Sequence, residues 1–150
     1  MTIYSLTSKE LVKIFNALEK AYPILLEQIG FKDGYPEQIC GDISRAINDF
    51  LKNRLNVPSQ LMSGTYKGRG TIFSGGRNGT DHAWIELKVR LKDAYKRPVL
   101  RIIIDGAYAQ FFPCFTPKVI RDRVRLMVFF DDKTAQRWYK PAASYSRLSR

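Results

Sequence analysis

Residues 82–91 read HAWIELKVRL, and residues 99–105 read VLRIIID after the polar connection KDAYKR. In the first stretch Ala83, Ile85, Leu87, Val89 and Leu91 alternate with His82, Trp84, Glu86, Lys88 and Arg90, the period of two that marks a strand with one buried face. The second stretch is a short apolar run ending on a carboxylate. If the two pair as an antiparallel hairpin around Lys92–Arg97, paired residue numbers sum to about 187–189. A sum of 187 sets Asp105 opposite His82, and 189 sets it one pair along on the same face. An even sum would send the two side chains to opposite faces.

Working outward, helices precede this hairpin. Thr7 and Glu10 form a capping-box pattern, and Leu11, Ile14, Phe15, Leu18 and Tyr22 follow at helical spacing. Pro23 predicts a kink or restart, Leu25, Leu26 and Ile29 continue the stripe, and Gly30 a stop. A second helix opens at Cys40, with Ile43, Ala46, Ile47, Phe50, Leu51 and Leu55 on one stripe, and ends near Asn56 before Pro58. Residues 59–66 read as a strand. Residues 67–81 hold five glycines but no Gly-Lys-Ser/Thr signature, so the loop is read as the flexible rim of a site and not as a phosphate cradle. A further strand is expected at residues 124–130, after a proline-bounded loop at 112–117, and the tail from Pro141 is expected to fray. Helices first and strands after give an α+β class: N-terminal helices packed on an antiparallel sheet, in a single domain spanning residues 1–150.

Composition narrows the chemistry. The chain has 150 residues, two cysteines (Cys40 and Cys114) and one histidine, His82. A structural zinc site normally takes four N or S ligands, so none is expected, and no cofactor is implied. A Cys40–Cys114 disulfide is open to the chain, but one this long has no need of it. No apolar run is long enough to span a bilayer, and residues 1–15 lack the apolar core of a secretory signal, so a cytoplasmic location is expected. The formal charge of +11, from 25 Lys and Arg against 14 Asp and Glu, favours an acidic partner, whether protein or nucleic acid. It is equally consistent with a basic solvated surface.

Any histidine chemistry must use His82. Cys40, at a helix start, faces the positive end of the helix dipole and unpaired N–H groups, which favour a thiolate. Asp105 is costly to bury unless partnered, and an imidazole N–H would serve. Carboxylate, imidazole and thiol complete the logic of a nucleophilic triad, although the hairpin alone does not bring Cys40 to the other two.

Three segments in order resemble the transglutaminase-like core of the papain-like cysteine enzyme superfamily. They are the helix-start Cys40 leading to LNVPSQLMSG at 55–64, the DHAWIE segment at 81–86, and the IDGAY turn at 104–108. Gly106 and Ala107 stand where Pro-Thr is common, and Asn56 and Gln60 where Gly and Arg are usual. The resemblance implies Cys40 as nucleophile, His82 as general acid and base, and Asp105 as its orienting carboxylate. The backbone N–H of Cys40 is the first oxyanion donor to consider, with Gln38 second. It implies acyl chemistry on peptide or glutamine side-chain amides, by a peptidase or deamidase, with transglutaminase activity close behind. The competing expectation is a non-catalytic basic module that binds nucleic acid or an acidic protein, with Arg121, Arg123 and Arg125 on one strand face.

Overall fold

The computed structural model describes residues 2–30, 40–67, 80–107, 125–129 and 131–142. In chain order these form β1 (Ile3–Leu6), α1 (Ser8–Gln28), α2 (Cys40–Asp49) running into a π-helical turn (Phe50–Arg54), β2 (Gln60–Tyr66), β3 (Thr80–Leu91), β4 (Val99–Asp105), β5 (Arg125–Phe129), α3 (Asp132–Trp138) and β6 (Tyr139–Pro141). The class is α+β, with helices and a six-stranded sheet in the order β5-β4-β3-β2-β6 and β1 also pairing with β3.

The central hairpin has the anticipated parity. Ile85 faces Ile104 and Arg90 faces Val99, so paired numbers sum to 189. Ile85, Leu87 and Val89 of β3 and Leu100, Ile102 and Ile104 of β4 therefore share one face, where they pack with Leu18, Tyr22 and Leu26 of α1 and Ile43, Ile47 and Leu51 of α2. The other face carries Trp84 and Ile103, packed with Met62, Tyr66, Phe129, Ala135 and Tyr139. With cover on both sides, residues 102–104 of β4 are apolar without interruption, because neither side of that strand meets water.

α1 begins as expected. Thr7 accepts from the Glu10 N–H at 3.1 Å and Glu10 accepts from the Thr7 N–H at 3.1 Å, the reciprocal capping box. Pro23 neither breaks nor restarts the helix, which runs unbroken from Ser8 to Gln28. The carbonyl that loses its partner belongs to Glu19, on the exposed face, where water can serve it. Asn56, where the resemblance looked for glycine, has φ +54°, a left-handed conformation that asparagine tolerates better than most residues.

Three elements depart from the sequence reading. β1 was not foreseen; it lies parallel to β3, so the sheet is antiparallel except at this strand. Four residues are too few for periodicity to register. Downstream, α3 and β6 occupy residues for which no element was expected, and Pro141 is paired, not frayed. β6 pairs with β2 through Gly64↔Pro141, Thr65↔Lys140 and Tyr66↔Tyr139, and the Ala142 N–H donates to the Ser63 carbonyl at 3.0 Å. Tail residues from 143 lie outside the described residues, as does most of the glycine-rich loop.

Gly64 makes this edge pairing possible. A Cβ on it would fall 2.0 Å from the Lys140 carbonyl oxygen and 2.8 Å from the Pro141 Cα, and neither backbone atom can rotate aside. Gly64→Val should therefore expel β6 while sparing the β3–β4 hairpin. The expected result is destabilisation on the order of 2–4 kcal/mol in urea unfolding, with hydrogen-exchange protection lost first at residues 139–142.

Candidate functional site

The site forms where β4 leaves the sheet. Regular β3–β4 pairing ends at Ile85↔Ile104, and the chain turns at Gly106 and Ala107 in place of continuing beside Ala83. The first turns of α2 occupy the vacated position. Ser44 Oγ donates to the Ala83 carbonyl at 3.1 Å, and the Ala83 backbone lies near enough to Cys40 to lower the proton affinity of its thiol. Thus α2 caps the edge that β4 abandons, and Cys40 comes round to His82, whose side chain rises from the face opposite α1 and α2. Gly106 permits the approach: a Cβ there would meet Ile47 Cδ1 at 2.6 Å and Ile43 Cγ1 at 3.0 Å. Tyr22 of α1 closes the corner by donating its hydroxyl to the Gly106 carbonyl.

His82 and Asp105 lie one pair apart on the same face, as the sum of 189 requires, and both side chains are fully buried. His82 Nε2 is 2.8 Å from Asp105 Oδ2. Hydrogen bonding and charge also couple the imidazole to the Cys40 thiol. Cys40 itself is half-buried and carries a free thiol. Asp105 is held on both oxygens: Oδ1 accepts from the Ala107 N–H at 3.0 Å, and Oδ2 also accepts from the Tyr139 hydroxyl at 2.7 Å.

Aromatic rings wall in the imidazole. Trp84 stacks beside it with centroids 6.3 Å apart and planes 25° apart, and Tyr66 approaches edge-on at 6.1 Å. Trp84 has no exposed surface, so it is a packing and orienting residue. Its indole N–H donates to Glu86 Oε1 at 2.9 Å, and Arg101 clamps Glu86 with Nε–Oε2 at 2.9 Å and Nη2–Oε1 at 2.7 Å.

The electrostatics favour charge separation. Burial pushes the Cys40 thiol up, but the hydrogen bond and charge of His82 and the Ala83 N–H outweigh it, leaving the thiol below its ordinary value. Burial alone would depress His82, yet the Asp105 charge and hydrogen bond, helped by Cys40, raise it to about 9. Both shifts act in the direction of a thiolate beside an imidazolium.

Of the residues singled out from sequence, Cys40, His82 and Asp105 come together. Gln38, Cys114, Arg121 and Arg123 lie outside the described residues, as does the Arg125 side chain. Among the described residues no group of three or more His, Cys, Asp or Glu side chains could hold a metal, and no helix is long and apolar enough to cross a membrane. Sequence reading missed Tyr139, Ser44 and the role of Tyr22. Only Tyr22 carried a signal: a phenol within an apolar stripe must find its hydroxyl a partner. Compared with family models, curated proteins and solved structures, the chain gave no match in any of the three.

The His82–Asp105 pair ties stability to pH, most simply in a Cys40→Ser chain, where no thiolate contributes. Asp105 alone still holds the folded-state proton affinity of His82 up, so the pair's stabilisation is fully present below pH 6.5 and is lost as pH rises through the folded value, which without Cys40 lies below the 9 of the intact site. Urea midpoints of Cys40→Ser measured from pH 6 to about 9.5 should fall across this window, and much less in Cys40→Ser/Asp105→Asn.

Proposed function

We propose that this protein is a cysteine enzyme acting on amides, with Cys40 as nucleophile, His82 as general acid and base, and Asp105 orienting the imidazole. The observation that carries the reading is the continuous link of thiol, imidazole and buried carboxylate, with proton affinities shifted in opposite senses at its reactive end. A structural cysteine buried in a core gains nothing from such partners, whereas a nucleophile requires them. Similarity to the transglutaminase-like core in three ordered segments supports the same chemistry.

In the proposed reaction the Cys40 thiolate adds to the amide carbonyl carbon. The C–S bond forms as the carbonyl π pair moves onto oxygen, and the backbone N–H of Cys40 is the first candidate to receive that charge. Collapse breaks the C–N bond as the His82 imidazolium gives its proton to the leaving nitrogen, so an amine departs and a thioester remains. Neutral His82 then takes a proton from water while the oxygen attacks the thioester. Expulsion of the thiolate yields the acid and regenerates the thiolate–imidazolium pair. If an amine replaces water, the product is a new amide. Peptide or glutamine side-chain amides are the proposed substrates, with hydrolysis ahead of amine transfer. The basic charge of the chain favours acidic sequences around the target amide.

Two measurements test this. Iodoacetamide should modify Cys40 near neutral pH faster than an unperturbed thiol, and His82→Ala should slow that reaction. On glutamine-containing acidic peptides, with ammonia release and backbone cleavage both followed, Cys40→Ser should abolish turnover. Asp105→Asn should reduce it by about three to four orders of magnitude, because it supplies the wrong hydrogen-bond character to the imidazole. Variants that fold by circular dichroism and keep wild-type turnover would remove these residues from the chemistry.

A further inference from the structure

The interactions around Asp105 are not all of one kind. The Ala107 N–H holds Oδ1 from within the same turn, and its role is to fix the carboxylate in place. Oδ2 is shared. It accepts from His82 Nε2 at 2.8 Å and from Tyr139 Oη at 2.7 Å, so two donors compete for the charge on one oxygen. Tyr139 comes from β6, far from the triad in sequence, and its ring is fully buried between Tyr66 at 5.2 Å and Trp84 at 5.1 Å. Those rings fix the direction of the phenol. A hydrogen bond from a neutral donor to a carboxylate spreads the negative charge and weakens the remaining bond to the second donor.

We propose that Tyr139 is a positioning residue of the site, which through Oδ2 of Asp105 limits how firmly the carboxylate holds the His82 proton. This deepens the thiol-enzyme reading and rests on it for its catalytic meaning. A general acid must release its proton to the leaving group, and a carboxylate given wholly to the imidazolium would hold that proton too well. The phenol moderates this grip, while the Ala107 N–H keeps the carboxylate in place. Among the described residues, other groups face the ring from α2, β2, β4 and β6. Cys40 approaches from α2, Asp105 from β4, Tyr66 from β2 and Tyr139 from β6, with Trp84 beside the ring on β3 itself. Tyr22 of α1 stands at the neighbouring Gly106 carbonyl, and Glu86 beyond Trp84 is matched by Arg101.

His82 is the sole histidine of the chain, so its imidazole signals can be followed by NMR without assignment. In a Cys40→Ala background, which removes the thiol and any turnover, Tyr139→Phe keeps the ring and removes only the hydroxyl. The His82 titration should then move upward by about half to one pH unit. Placing 3-fluorotyrosine at 139 makes the phenol a stronger donor and should move it downward, which preserves a test of sign if the Phe variant folds poorly. In Cys40→Ala/Asp105→Asn the Tyr139→Phe shift should vanish. A titration that stays put or falls in Tyr139→Phe, or a shift that persists without the Asp105 carboxylate, overturns the proposal. Because these titrations need no catalysis, they succeed or fail independently of amide turnover. On the enzyme itself, Tyr139→Phe should lower kcat several-fold with little change in KM and move the basic limb of the Cys40 alkylation profile upward; an unmoved limb would also overturn it.

Discussion

The buried carboxylate of Asp105 is the constraint around which the rest of the site is arranged. A carboxylate with no exposed surface is sustained only if its lone pairs meet donors, and leaving one such charge unpaired costs several kcal/mol. Here the donors come from three directions: an imidazole on the neighbouring strand, a phenol on a distant edge strand and a backbone N–H two residues on in the same turn. Each donor fixes a piece of chain. The imidazole sets where β3 must lie, the phenol fixes β6 against β2, and the Ala107 N–H sets the turn that ends β4. That turn leaves the space beside Ala83 into which α2 fits.

A second buried carboxylate on the same sheet face shows what is particular about the first. Glu86 is satisfied by Arg101 and the Trp84 indole, and Arg101 reaches further to Asp132 at 3.2 Å. Guanidinium does not release its proton in the accessible pH range, so that pair is electrically fixed and serves to lock Trp84 beside the imidazole. Asp105 is paired instead with a group whose proton can leave. Two ion pairs on one face thus divide the work. One is permanent and braces the wall, and the other can change its protonation state at a place the Cys40 sulfur can feel.

Much of this was legible in the chain because it lies in local patterns. The alternation through 82–91 and the odd parity of the hairpin put His82 and Asp105 on one face, and the stripe of Ile43, Ile47 and Leu51 is buried as read. What could not be read was how α2 meets them. That depends on β4 stopping at Asp105 and on Gly106 admitting Ile43 and Ile47 at close range, a fit between segments far apart in sequence. Tyr139 was missed for a related reason. A three-residue strand after a short helix has no period to detect, and its reason for being there is a single hydroxyl at the far side of the sheet. β1 escaped likewise, since four residues beside β3 say little without their partner.

The late position of β6 also sets an order of assembly. His82 and Asp105 are 23 residues apart, whereas Tyr139 joins Asp105 across a further 34, so the thiol, imidazole and carboxylate have all been synthesised before the phenol exists. A nascent chain can therefore pair β3 with β4 while the imidazole still lacks its full set of neighbours. The thiol acquires its full set of described neighbours only once β6 has docked, so its chemical environment reports whether that strand has reached its place.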